Sequence, residues 1–109
     1  MKDFCSMNEF NDIPMPFESY FGEEPYVFVS YSHADKAMVY ETMRFFRDAG
    51  VNLWYDEGIP PAGEWVEEIA NAIKNSRLFL VFVTSKSVGS QFVRCEVGYA
   101  LSEDKEILT

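Results

Sequence analysis

Three short apolar runs, 26–31, 51–55 and 78–84, alternate with segments of helical period, and this alternation restricts the chain more than any other feature. Each run is rich in β-branched and aromatic residues and short enough for a strand buried on both faces. The connections between them are too long for hairpins. After Tyr31, Ser32-His33-Ala34-Asp35 matches a capping box, and Val39, Met43 and Phe46 recur at helical spacing until Gly50 supplies a stop. After Tyr55 comes a long exposed loop, from Asp56 to Gly63, whose glycines and prolines forbid regular structure. Trp65, Ile69, Ala72 and Ile73 mark a second helix that opens at Glu64, with Glu64, Glu67 and Glu68 near the positive end of its dipole. Ser85 to Ser90 reads as a polar loop, Gln91 to Glu103 as a third helix, and Glu106 to Thr109 as the start of a fourth strand.

The order β-α-β-α-β-α-β predicts an α/β fold of flavodoxin-like, three-layer type, with a parallel sheet, right-handed crossovers and strand order 2-1-3-4. In such sheets ligands sit beyond the carboxyl ends of the strands, where the order reverses between strands one and three. The residues expected at that crevice are Tyr31, Ser32 and His33 after the first strand, Thr84 and Ser85 after the third, and the start of the third helix. Phe92 and Glu96 are four apart and share one face of that helix, beside an apolar stripe of Val93, Val97, Ala100 and Leu101 suited to a core. The sequence therefore places one carboxylate where buried and open surface meet.

Residues 1–25, with Pro14, Pro16 and Pro25 and no sustained period, read as a flexible arm or linker, and residues 26–109 as the domain. Phe17, Tyr20 and Phe21 are the arm residues able to lie against the domain as a short clasp. The formal charge of −9 argues against nucleic-acid and anionic-membrane partners, which need clustered Lys and Arg. Cys5 and Cys95 have no CxxC spacing and no second His to complete a metal site, so reduced thiols and no metal are expected. The start does not resemble a secretory signal, and the longest apolar run, 78–83, is too short to cross a bilayer. These features predict a cytoplasmic protein without membrane insertion.

Three stretches resemble a known family, the Toll/interleukin-1 receptor (TIR) domain in its bacterial form, over about 26–109. Residues 26–35, YVFVSYSHAD, resemble its first box, a strand ending in Ser-Tyr. Residues 54–63, WYDEGIPPAG, resemble its second strand and BB loop, and residues 90–96, SQFVRCE, the box in which an aromatic precedes a key glutamate by four. The usual tryptophan of that last box is Phe92 here and the neighbouring cysteine is Val93. The resemblance also implies that the C-terminal part of the usual five-stranded TIR fold, its last strand and helix, is missing from this sequence. In catalytically active members the glutamate corresponding to Glu96 cleaves the nicotinamide–ribose bond of NAD, which is a substrate there and not a cofactor. By the same resemblance Tyr31, Ser32, His33, Trp54 and Phe92 line the substrate pocket. Asp56, Gly58, Ile59, Pro60 and Pro61 belong to a loop that associates with other TIR domains, giving a homo-oligomer.

Each residue also has a plainer use. Glu96 can pair with Arg94, Lys86 or a basic residue of the first helix. His33 can be a surface residue of a helix N-terminal turn, Trp54 and Trp65 core anchors, and Cys95 a small buried apolar residue. Two functions follow: an NAD glycohydrolase of immune-type signalling, forming ADP-ribose or a cyclised form of it, and a non-catalytic TIR–TIR interaction module. A phosphoacceptor receiver domain would need an Asp at the end of the third strand, where Thr84-Ser85 stands. A flavodoxin would want a Ser/Thr-rich phosphate loop in place of Ser32-His33-Ala34-Asp35.

Overall fold

The computed structural model describes residues 16–55 and 64–109. In chain order these form β1 (Val27–Ser30), a 3-10 turn (His33–Asp35), α1 (Lys36–Asp48), β2 (Leu53–Tyr55), α2 (Glu64–Asn75), β3 (Leu78–Val81), α3 (Ser85–Val88), α4 (Gln91–Ser102) and β4 (Ile107–Leu108). The four strands form one sheet of order β2-β1-β3-β4, parallel throughout, as the alternation predicts. Gly50 stops the first helix segment with φ of +97°, a conformation that glycine adopts without the penalty other residues incur.

Register explains where the core sits. Phe28 lies opposite Trp54 on one side and Phe79 on the other, so three rings stand in a row across the sheet. They stack, with centroids 5.0 Å apart for Phe28–Trp54 and 5.3 Å for Phe28–Phe79. Against this row pack Ile69, Ala72 and Ile73 of α2 and Val93 and Ala100 of α4. The opposite face carries Val29, Leu53 and Tyr55, covered by Val39, Tyr40 and Met43 of α1. Helices on both faces of a parallel sheet make the three layers, and burying both faces accounts for the nearly uninterrupted apolar strands.

Three local expectations are corrected. The segment 85–90 is not simply a loop: Thr84 caps the short helix α3, its hydroxyl accepting from the Ser87 amide at 3.0 Å while its own amide donates to Ser87 Oγ at 2.8 Å. Leu101, expected in the core stripe of α4, is 62% exposed, because Val93, Glu96 and Ala100 define the inward face and Leu101 follows one residue beyond it. Finally, the third strand is shorter than its apolar run. Phe79 and Val81 are buried, but Leu78 and Leu80 on the α1 side are half-buried and Val83 is exposed. The reason is coverage: the buried residues of α1 cluster with those of β1 and β2, and neither Leu80 nor its β4 partner Leu108 belongs to that cluster.

The end of the proline-containing head takes the clasp position. The Tyr20 amide donates to the Leu53 carbonyl at 2.9 Å, and the Tyr55 amide donates to Ser19 Oγ at 2.9 Å. The Tyr55 hydroxyl donates to the Phe17 carbonyl, and the Phe17 ring meets Tyr55 edge-on at 5.6 Å. These contacts cover the outer edge of β2, which would otherwise present unpaired backbone groups.

Candidate active site

Ser30 is the one polar residue of β1 and lies at its carboxyl end, fully buried. It follows Phe28 by two, so its side chain projects to the same sheet face, toward α4. There Ser30 Oγ donates to Glu96 Oε1 at 2.6 Å. Glu96 is 4% exposed, and a carboxylate so desolvated requires polar partners to remain in place. The helix that delivers it is fixed at its start by Ser90, whose hydroxyl accepts from the Val93 amide at 3.2 Å. One turn before Glu96, Phe92 is half-buried on the same face.

His33 lies across the end of β1. Its ring stands 5.1 Å from Tyr31, which belongs to the α1 layer with Tyr40, and 5.5 Å from Phe92 of α4. It is therefore not the surface residue that its place in a helix-opening turn suggests. Burial first, and the Lys36 ammonium second, lower its pKa from 6.5 to about 4. A histidine held neutral in the folded chain but free to protonate in the unfolded one stabilises fully above pH 6.5, and less as pH falls from there toward 4. Stability of the wild type is thus expected to fall more steeply over that interval than that of His33→Gln. Urea midpoints at pH 7, 6 and 5 check this; parallel declines would contradict it.

A second tie closes the crevice. Thr84 Oγ1 donates to Asp35 Oδ2 at 2.6 Å, joining the turn after β1 to the loop after β3. The capping box expected within 32–35 is consequently half made: Ser32 Oγ accepts from the Ala34 amide at 3.4 Å, while the Asp35 carboxylate reaches Thr84. Thr84 spends one hydroxyl as donor to Asp35 and acceptor from Ser87. Thr84→Val is expected to cost about 2–4 kcal/mol, the sum of a cap and a hydrogen bond to a charged group, and Thr84→Ser distinctly less. Urea unfolding of the two variants reads this directly; equal losses would contradict it.

The structure gathers Tyr31, Ser32, His33, Phe92 and Glu96 around the end of β1, and it does not bring Trp54 to them. Trp54 is 6% exposed and its indole is stacked on Phe28 in the core, the plainer of its two expected uses. Asp56, Gly58, Ile59, Pro60 and Pro61 lie outside the described residues. Arg94 and Lys86 are exposed, with Arg94 Nε donating to the Val88 carbonyl at 3.1 Å. Cys95 is exposed and not a buried packing residue, as are Gln91 and Arg94 of the same helix. Ser30, and the bond of Asp35 to Thr84, are features of the candidate site that spacing alone does not reveal, although Thr84 itself stands where the topology predicts it. A polar residue inside an otherwise apolar strand was the available signal for Ser30.

Among the described residues no group of His, Cys, Asp and Glu is placed to hold a metal ion, and no helix is long and apolar enough to cross a membrane.

A parallel sheet of this order is a flavodoxin-like α/β domain, and the acid and aromatic rings at the carboxyl end of β1 form a candidate site at the point where strand order reverses. The TIR-domain family model matches residues 27–109, and the chain belongs to that family. Among solved structures, it is similar to the TIR domain of the Toll-related receptor TRR-2 from Hydra magnipapillata, with TM-score 0.64 and 23% identity. That match covers 74% of this chain and 65% of the receptor domain, so the chain spans just under two thirds of it, and at this identity the likeness concerns the fold. No curated protein matches the sequence.

Proposed function

We propose that this TIR domain is an NAD glycohydrolase of cytoplasmic, bacterial immune-type signalling, acting as an oligomer, with Glu96 as its catalytic residue. The observation that carries the proposal is the Glu96 carboxylate at the carboxyl end of β1, held by Ser30 at 2.6 Å on the helix face it shares with Phe92.

The chemistry asks little of the protein. The bond between C1′ of ribose and the pyridinium nitrogen breaks, and its electron pair leaves with nicotinamide, which becomes neutral and needs no proton. Positive charge is left on the ribose. A single carboxylate facing C1′ stabilises that oxocarbenium-like state, or captures it, as the second carboxylate does in glycosidases. Water then adds at C1′ and releases a proton, giving ADP-ribose; capture by a nucleophile of the same nucleotide gives a cyclised form. His33, kept neutral at physiological pH, and Phe92 present uncharged rings on which a cationic pyridinium can stack. NAD is the substrate in this scheme, and no other cofactor is involved.

With Glu96 only 4% exposed in the single chain, side chains at the mouth of the crevice must move to admit a ribose. Association supplies a cause for such movement, and TIR domains interact with other TIR domains. The loop containing Asp56, Gly58, Ile59, Pro60 and Pro61 is the segment proposed to mediate it. The test is chromatographic detection of nicotinamide from NAD over a range of protein concentrations. The proposal expects release that rises more than linearly with concentration; no release from any associated form would leave the non-catalytic interaction module.

A further inference from the structure

We infer that Ser30 is the positioning residue of the site: its hydroxyl, fixed to the sheet, sets where the Glu96 carboxylate stands, and turnover depends on it. The inference rests on the glycohydrolase proposal, and it concerns a residue outside the pocket that the family resemblance outlines.

Four observations support it. The side chain of Ser30 is fully buried, so its hydroxyl is not there to meet solvent. Its neighbours in β1, Val27, Phe28 and Val29, are all apolar, and a hydroxyl among them is costly unless it is bonded. The bond it makes is short, 2.6 Å, and joins residues 66 apart in sequence, from the rigid central strand to a helix. Ser30 is also held by the ladder on its β3 side: its Cα partner there is Val81, and its carbonyl accepts from the Phe82 amide at 3.0 Å. The hydroxyl therefore has little freedom of its own.

Glutamate has three rotatable side-chain bonds, and on a helix several of its rotamers are open. A donor anchored in the sheet selects among them. It also replaces some of the hydration that the carboxylate loses at 4% exposure, and so holds it where a developing oxocarbenium needs it. Because that need arises as C1′ becomes positive, loss of the hydroxyl acts on the chemical step and not on the binding of NAD. A serine present only for packing would have the opposite signature, an unchanged rate in every variant that folds.

The experiment uses the whole chain in its active form, with Ser30→Ala, Ser30→Cys and Ser30→Thr compared by steady-state NAD cleavage and by thermal unfolding. Alanine removes the hydroxyl, cysteine removes it at nearly constant volume, and threonine retains it. The expected result is a kcat lowered about 10- to 100-fold in the alanine and cysteine variants, the range carried by one hydrogen bond to a charged group. KM should remain within about twofold of wild type, and threonine should restore most of kcat. Should alanine fail to fold, cysteine provides the same comparison without a cavity. Full kcat in either folded variant that lacks the hydroxyl overturns the inference and leaves the glycohydrolase proposal standing, as does a loss confined to KM. A wild type that releases no nicotinamide in any associated form overturns the glycohydrolase proposal, and this inference with it.

Discussion

Phe28→Ala is expected to lower folding stability by about 3–5 kcal/mol, the cost of truncating a buried aromatic residue. Phe28 is 0% exposed and is the middle ring of the Trp54–Phe28–Phe79 row, so its loss removes two stacked contacts and leaves a hole across three strands. The neighbouring layers cannot readily close over it. Trp54 and Phe79 are held apart by the registers of β1 with β2 and with β3, and α2 and α4 pack against the same row. A domain of this size is stabilised by about 5–15 kcal/mol in total, so the variant should be partly unfolded or have a greatly lowered urea midpoint. Phe28→Leu, which refills most of the volume, should lose much less. A loss below about 1 kcal/mol for the alanine variant would show that the row is not the keystone of the core.

Much of this fold was legible before any coordinates. The runs 26–31, 51–55 and 78–84 gave strands in the right order, because a strand buried on both faces needs continuous apolar residues and its parallel partner needs a helix-length crossover. Gly50 was readable as a stop because left-handed backbone there excludes most alternatives. What local pattern could not supply was coverage. Leu101 and Val83 look like core residues and are exposed, since burial depends on whether another element packs over them.

The site divides in the same way. Phe92 and Glu96 were placed on one helix face by spacing, and Tyr31, Ser32 and His33 at the crevice by topology. The partner of Glu96 was not foreseeable from spacing, because Ser30 lies on a different element and no local periodicity links the two. Asp35 shows the same limit from the other side. Its position three residues after Ser32 suggested a reciprocal cap, whereas its carboxylate is bonded to Thr84, which lies 49 residues away. Trp54 sits next to Tyr55 and the loop in sequence, yet the alternation of a strand turns its ring into the α2–α4 core while Tyr55 faces α1.

Glu96→Gln is expected to lower the rate of NAD cleavage by about 10²–10³-fold or more, the loss found when a group that stabilises transition-state charge is removed. The amide is nearly isosteric and its oxygen can still accept from Ser30 Oγ, so the fold should persist with at most a modest change in stability. If Glu96 served only to satisfy Ser30 within the core, the substitution would alter the unfolding midpoint and leave turnover where it was. The two roles therefore separate in one pair of proteins.

The most direct measurement is the rate of nicotinamide release by wild type and by Glu96→Gln, at a concentration where both are equally associated and both are folded by circular dichroism. Release by the wild type alone is the result expected from a carboxylate that meets the ribose. Release by the glutamine variant within about tenfold of wild type would assign Glu96 to structure, because a tenfold change is only about 1.4 kcal/mol of barrier.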